Sequence, residues 1–133
     1  MKHRTVHIRG WRVDVFIDDG KHYVDMRKVN EVLDEMGAPY EITEKADSLV
    51  TEDVPNQAFT YSRGRRTCIY IGRTTSPEEF INSLVHELRH LIDHIAEYYG
   101  LDNGEAVGYM SGDTAFLLAE EICEHGCRHC GKE

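Results

Sequence analysis

The chain has 133 residues, of which 41% are apolar and 29% charged, and 24 acidic against 15 basic side chains leave a net charge of −9. This is the size and composition of one folded domain with a single core, not of a disordered segment. The acidic balance argues against a nucleic-acid binder, the apolar runs are too short for a transmembrane helix, and the first residues lack the apolar core of a secretory signal, so the expected compartment is the cytoplasm.

Val6, Ile8, Val13, Val15 and Ile17 alternate on either side of Gly10-Trp11, which predicts a bent strand or hairpin followed by a turn at Asp18-Asp19-Gly20. Met26, Val29, Val32, Leu33 and Met36 recur at helical spacing, and the helix they predict stops at Gly37 ahead of Pro39. Residues 40–55 are polar and acidic and read as a loop. Two short strands follow, near Gln57–Ser62 and Arg66–Gly72, joined by a turn at Arg63-Gly64-Arg65. Thr67, Ile69 and Ile71 face one way, and Cys68 and Tyr70 the other. Residues 54–76 carry four bases and no acid, so this hairpin is a basic island in an acidic chain.

Ser76-Pro77-Glu78-Glu79 combines a capping box with proline at the first helical position. The helix it opens is expected from Pro77 to about Tyr99, with Gly100 in the left-handed position beyond its end. Leu101-Asp102-Asn103 makes a turn, and a second helix spans about Gly104 to Glu124. The order predicts one α+β domain: a short antiparallel or mixed sheet with a hairpin, one N-terminal helix and a C-terminal pair of helices. Within the single domain 1–133, residues 1–56 hold strands, a helix and an acidic loop. Residues 57–124 hold the hairpin and two helices, and 125–133 form a Cys/His tail.

The long helix contains His86-Glu87-Leu88-Arg89-His90. Residues four apart stack one turn above the other, so the two imidazoles can grip one metal ion from a single face. Glu87 is turned about 100° from His86 and reaches a water on that metal without itself being a ligand. Zinc lowers the pKa of such a water toward about 7, and the carboxylate takes its proton. Phe80, Leu84, Leu88, Leu91, Ile95 and Tyr98 form an apolar stripe, with His86, His90, Asp93 and Glu97 nearly opposite. A third ligand is required. His94 lies four beyond His90 but drifts around the helix, and Asp93 and Ala96 stand where the metzincin pattern needs glycine and histidine. Asp102, Glu105 and Asp113 remain as acids on the turn and next helix. Spacing leaves Glu105 and Asp113 equal. Asp93, on the metal face one turn beyond His90, stays open beside them as a ligand and can alternatively orient an imidazole.

From Ala58 to Glu121 the chain resembles the compact zincin metallopeptidases, gluzincin-like in their ligands, that phages and mobile elements encode. More distantly it resembles the metallopeptidases that cleave immunity repressors of integrative elements. The residues that carry the likeness are Thr67-Cys68-Ile69-Tyr70-Ile71, Ser76-Pro77-Glu78-Glu79, Leu84 to Asp93 around the pentapeptide, and Asn103-Gly104-Glu105-Ala106-Val107-Gly108-Tyr109. The resemblance implies a zincin-like domain in which His86, His90 and Glu105 hold zinc and Glu87 is the catalytic base. Tyr109 is one turn beyond Glu105, where its hydroxyl can meet a developing oxyanion. In zincins an edge strand beside the active helix binds the peptide by strand addition, and Arg66–Gly72 is the candidate here.

Cys123, His125, Cys127, His129 and Cys130 cluster at the C-terminus, and Cys127-x-x-Cys130 has knuckle spacing for a second zinc. The function expected is a zinc-dependent peptidase acting on a peptide or protein, with neither nucleic acid nor membrane as partner. The alternative is a non-catalytic zincin-like zinc-binding module that acts through a protein partner, and a third is a small regulator without metal.

Overall fold

The computed structural model describes residues 2–18, 26–101 and 104–126. In chain order they form β1 (Lys2–Ile8), β2 (Trp11–Ile17), α1 (Met26–Glu35), α2 (Tyr40–Thr51), β3 (Ala58–Arg63), β4 (Arg66–Ile71), α3 (Pro77–Tyr99), α4 (Glu105–Leu117) and α5 (Ala119–Gly126). The fold is α+β. The four strands make one mixed sheet in the order β1-β2-β4-β3. β1 and β2 are an antiparallel hairpin across Arg9-Gly10, both at positive φ as a type I′ turn requires. β2 and β4 run parallel, from Arg12 opposite Arg66 to Ile17 opposite Ile71, and β3 pairs antiparallel with β4. Of the predicted turn at 18–20, only Asp18 lies within the described residues.

Helices cover both faces. On one, Val13, Val15, Ile17, Ile69 and Ile71 meet Phe80, Leu84, Leu91, Ile92 and Ile95 of α3, with Met110 and Leu118 beside them. On the other, Phe16, Cys68 and Tyr70 meet Val29 and Leu33 of α1 and Ala46 of α2. The period-two alternation of β4 is thus what divides the two cores. Burial pushes the Cys68 thiol up to about 12, and burial followed by the nearby Asp18 and Asp53 charges pushes Tyr70 to about 12, so both stay neutral at physiological pH.

Asp14 is buried on the α1 side and fully partnered. It accepts from Thr5 Oγ1 at 2.9 Å, is bonded to His3 Nε2 at 3.0 Å, and pairs with Arg66 at 3.2 Å and Arg12 at 3.3 Å. Burial by itself raises its pKa; the bonds from His3 and Thr5 and the charges of Arg12 and Arg66 outweigh that and hold it below the usual aspartate range.

The boundaries of α3 are those its sequence predicts. Ser76 Oγ accepts from the Glu79 N–H at 3.1 Å, and Gly100 takes φ 67°, which a side chain there would strain. Three expectations are corrected. Residues 40–51 are helical, not loop: Ile42, Ala46, Leu49 and Val50 lie at i, i+4, i+7 and i+8 and pack into the second core, behind Pro39, which stands just before the first turn. The second C-terminal helix is two. The Thr114 hydroxyl donates to the Met110 carbonyl at 2.7 Å, a bond that bends helices, and Leu118 leaves helical geometry at φ −104° and ψ 16°. The bend carries α5 to the first strand, where Arg4 donates to Glu121 at 2.9 Å and Lys2 to Glu124 at 2.7 Å. Finally, the strand at 66–72 has no free edge, because β2 and β4 pair on one side and β3 and β4 on the other; the terminal strand is β3. No helix among the described residues is long and apolar enough to cross a membrane.

Candidate functional site

α3 lies across the sheet against β3 and β4. His86 and His90 project from its exposed side one turn apart, with ring planes at 82° and their Nε2 atoms 3.2 Å apart. Two nitrogens each bound at about 2.0–2.1 Å to one tetrahedral zinc stand about 3.3 Å from each other. That spacing is also the spacing of an N–H···N hydrogen bond between the two rings, and the pair has the donor chemistry of two ligands to one ion.

Glu87 turns the other way, into the sheet, and only 5% of it is exposed. Its Oε2 accepts from Thr60 Oγ1 at 2.6 Å. Thr60 is opposite Ile69 and Ser62 opposite Thr67, so both β3 side chains share the face on which α3 packs. Ser62 Oγ stands 2.6 Å from His94 Nδ1 and 2.7 Å from Thr67 Oγ1, and Trp11 Nε1 donates to that same Thr67 oxygen at 2.8 Å. A line of polar groups thus crosses the apolar layer from Trp11 to His94.

Two hollows flank Glu87. One, of about 270 Å³, is lined by Lys45, Phe59, Thr60, His90 and His94; the other, of about 180 Å³, by Asn56, Ala58, Asn82, Ser83 and His86. Glu87 lines both, and each hollow has one of the two histidines. β3 borders both. The Gln57 carbonyl bonds the Gly72 N–H at 2.8 Å, which sets the parity of the ladder: 57, 59, 61 and 63 bond toward β4, while the N–H and C=O groups of Ala58, Thr60 and Ser62 point outward.

The other predicted site residues are not drawn into this arrangement. Among the described residues no group of three His, Cys, Asp or Glu comes close enough to share a metal, so neither Glu105 nor Asp113 joins the histidine pair. The helix pair packs along another flank of α3: a Cβ at Gly126 would collide with Ile81, which lies about 140° around the helix from His86. Glu105 is exposed at the first turn of α4, and Tyr109 on the same helix is 63% exposed. Asp93 is engaged by Arg89 at 3.0 Å. Of the C-terminal cluster, Cys123 is exposed and the His125 ring packs 5.2 Å from Phe80; Cys127, His129 and Cys130, like Asp102, lie outside the described residues.

Thr60, Ser62, Thr67 and Trp11 are the participants that sequence reasoning passes over. Their signal is a set of polar groups on the face where β4 shows Ile69 and Ile71: two alternate residues of β3, and Thr67 itself. No protein-family model, curated protein or solved structure matches the chain, so the functional reading rests on these residues and distances.

Proposed function

We propose that the chain is a zinc-dependent peptidase of small zincin-like architecture, with His86 and His90 holding the metal and Glu87 as the general base. The observation that carries this reading is a pair of imidazole nitrogens 3.2 Å apart, with a buried glutamate between them in sequence that lines a hollow on each side. When bound, zinc supplies Lewis acidity, polarising a carbonyl and lowering the pKa of water to about 7.

The chain's own residues do the rest. Thr60 occupies one oxygen of Glu87 and fixes its rotamer, leaving the other oxygen to take a proton from the attacking water and pass it to the departing amine. The outward N–H and C=O groups of Ala58, Thr60 and Ser62 pair with an extended peptide, which holds the substrate backbone along the hollows. This gives β3 the substrate-binding role that zincins assign to an edge strand. The family resemblance implies Glu105 as the third ligand and Tyr109, one turn beyond it on α4, as a hydroxyl donor; Glu105 stands exposed at the first turn of α4 and, among the described residues, is not grouped with the histidine pair.

The test is metal content per chain in protein purified without added metal, together with hydrolysis of fluorescein-labelled casein. The expected result is one zinc in wild type, lost in His86→Ala/His90→Ala, and a Glu87→Gln variant that keeps zinc and loses hydrolysis. Zinc that survives the double substitution removes the site, and a Glu87→Gln variant as active as wild type removes the mechanism. Zinc bound at the histidines by a wild type that hydrolyses nothing supports the binding module instead.

A further inference from the structure

His94 has no role in the proposed mechanism, yet it ends the polar line that begins at Trp11. The direction of that line follows from the donors available. An indole N–H only donates, so Thr67 Oγ1 accepts from Trp11. Thr67 is fully buried, and a buried hydroxyl hydrogen needs an acceptor. Ser62 Oγ, at 2.7 Å, is its acceptor, and Ser62 then gives its own hydrogen to His94 Nδ1 at 2.6 Å. A neutral imidazole that accepts at Nδ1 carries its hydrogen on Nε2. His94 therefore presents an N–H donor, not a lone pair, and it lines the same hollow as Glu87, Thr60 and His90.

Two facts separate His94 from the metal pair. Its ring centroid is 6.4 Å from that of His90, against 4.8 Å between His86 and His90. Either imidazole nitrogen can ligate a metal, but in this tautomer Nε2 carries the hydrogen and the Nδ1 lone pair is taken by Ser62, which leaves neither nitrogen to a metal. We propose that His94 is a substrate-contacting donor, its Nε2–H bonding the carbonyl oxygen of the scissile peptide as charge gathers there, and that Trp11, Thr67 and Ser62 are positioning residues that fix its tautomer. The inference rests on the peptidase reading. A neutral donor aimed at a developing oxyanion accelerates acyl transfer without binding metal.

The experiment uses the full chain labelled with ¹⁵N-histidine and reads the His94 tautomer by NMR, the signal being assigned by its loss in His94→Ala. The expected form is protonated at Nε2 and bare at Nδ1, and Thr67→Val, which removes the hydroxyl that feeds Ser62, should mix the two tautomers. In the casein assay His94→Ala should lower kcat by about 10²-fold at unchanged zinc content. His94→Gln, which restores a neutral donor, should recover part of that loss. A proton on Nδ1, zinc lost from His94→Ala, or wild-type kcat in His94→Ala each overturns the donor role. Where Glu87→Gln still abolishes hydrolysis, that failure belongs to this inference alone. A wild type without Glu87-dependent hydrolysis overturns the peptidase reading and the donor role together.

Discussion

Of the three buried carboxylates among the described residues, Asp14 and Glu87 lie on opposite faces of the same sheet and are treated differently. Asp14 has both oxygens taken, by a hydroxyl, an imidazole and two guanidinium groups. Glu87 has one hydroxyl on one oxygen, two imidazoles nearby on its own helix, and a hollow on either side. A buried charge with every lone pair engaged is an anchor, because moving it or protonating it breaks several bonds at once. A buried charge with spare acceptor capacity and a path for water is equipped to take a proton. Burial alone does not identify a reactive carboxylate. Unfilled bonding capacity that faces a hollow beside other donors does; the buried Glu121 also has an oxygen without a partner, but its other oxygen is held by Arg4 in an ion pair with the first strand.

The largest effect that breaks or sharpens this contrast is on stability. Asp14→Ala leaves Arg12 and Arg66 facing each other without their shared anion and should cost about 3 kcal/mol in urea unfolding at neutral pH. Glu87→Gln, whose amide oxygen still accepts from Thr60, should stay within about 1 kcal/mol of wild type. Equal losses would mean that both groups are anchors. Acid should separate them next. The Asp14 pKa is lowered on folding, so its contribution is complete above the unfolded value of about 3.9 and is lost as pH falls through the lower folded value. Unfolding followed from pH 6 to pH 2 should show that loss in wild type and Glu87→Gln and a shallower slope in Asp14→Asn. The smallest effect is at Thr60. Thr60→Val removes the single bond that orients Glu87; about a tenfold fall in casein hydrolysis with about 1 kcal/mol of stability is expected. Unchanged hydrolysis would show that Glu87 needs no orienting partner.

What the sequence makes legible here is what local pattern encodes. The β1–β2 hairpin, α1, and both ends of α3 follow from alternation, helical spacing, Ser76 and Gly100. The helix at Tyr40–Thr51 is obscured because its apolar residues are diluted by Glu41, Glu44 and Asp47, and because Pro39 reads equally well as the end of one helix or the entry to another. The break at Leu118 has no glycine or proline to mark it; the ion pairs of Arg4 and Lys2 with α5 lie more than a hundred residues away in sequence. The inner position of β4 is encoded, in a run apolar on both faces from Cys68 to Ile71, which is the pattern of a strand covered on both sides. At the site, the four-residue spacing of His86 and His90 is visible in the sequence. The burial of Glu87 and the Trp11–Thr67–Ser62–His94 line depend on strand register, which no helix pattern contains.

The way the molecule closes on itself also sets the order in which it can be made. β2 must wait for β4, some fifty residues later, to gain its parallel neighbour, and the outer side of β1 is clasped by Glu121 and Glu124 near the far end of the described chain. During synthesis, at roughly 5–20 residues per second, the first hairpin therefore emerges from the ribosome several seconds before either partner does. Its buried-to-be side chains, Trp11, Val13 and Val15 among them, spend that interval in water. Such a nascent chain folds late and as a unit, and in that interval it is exposed to aggregation and to capture by chaperones.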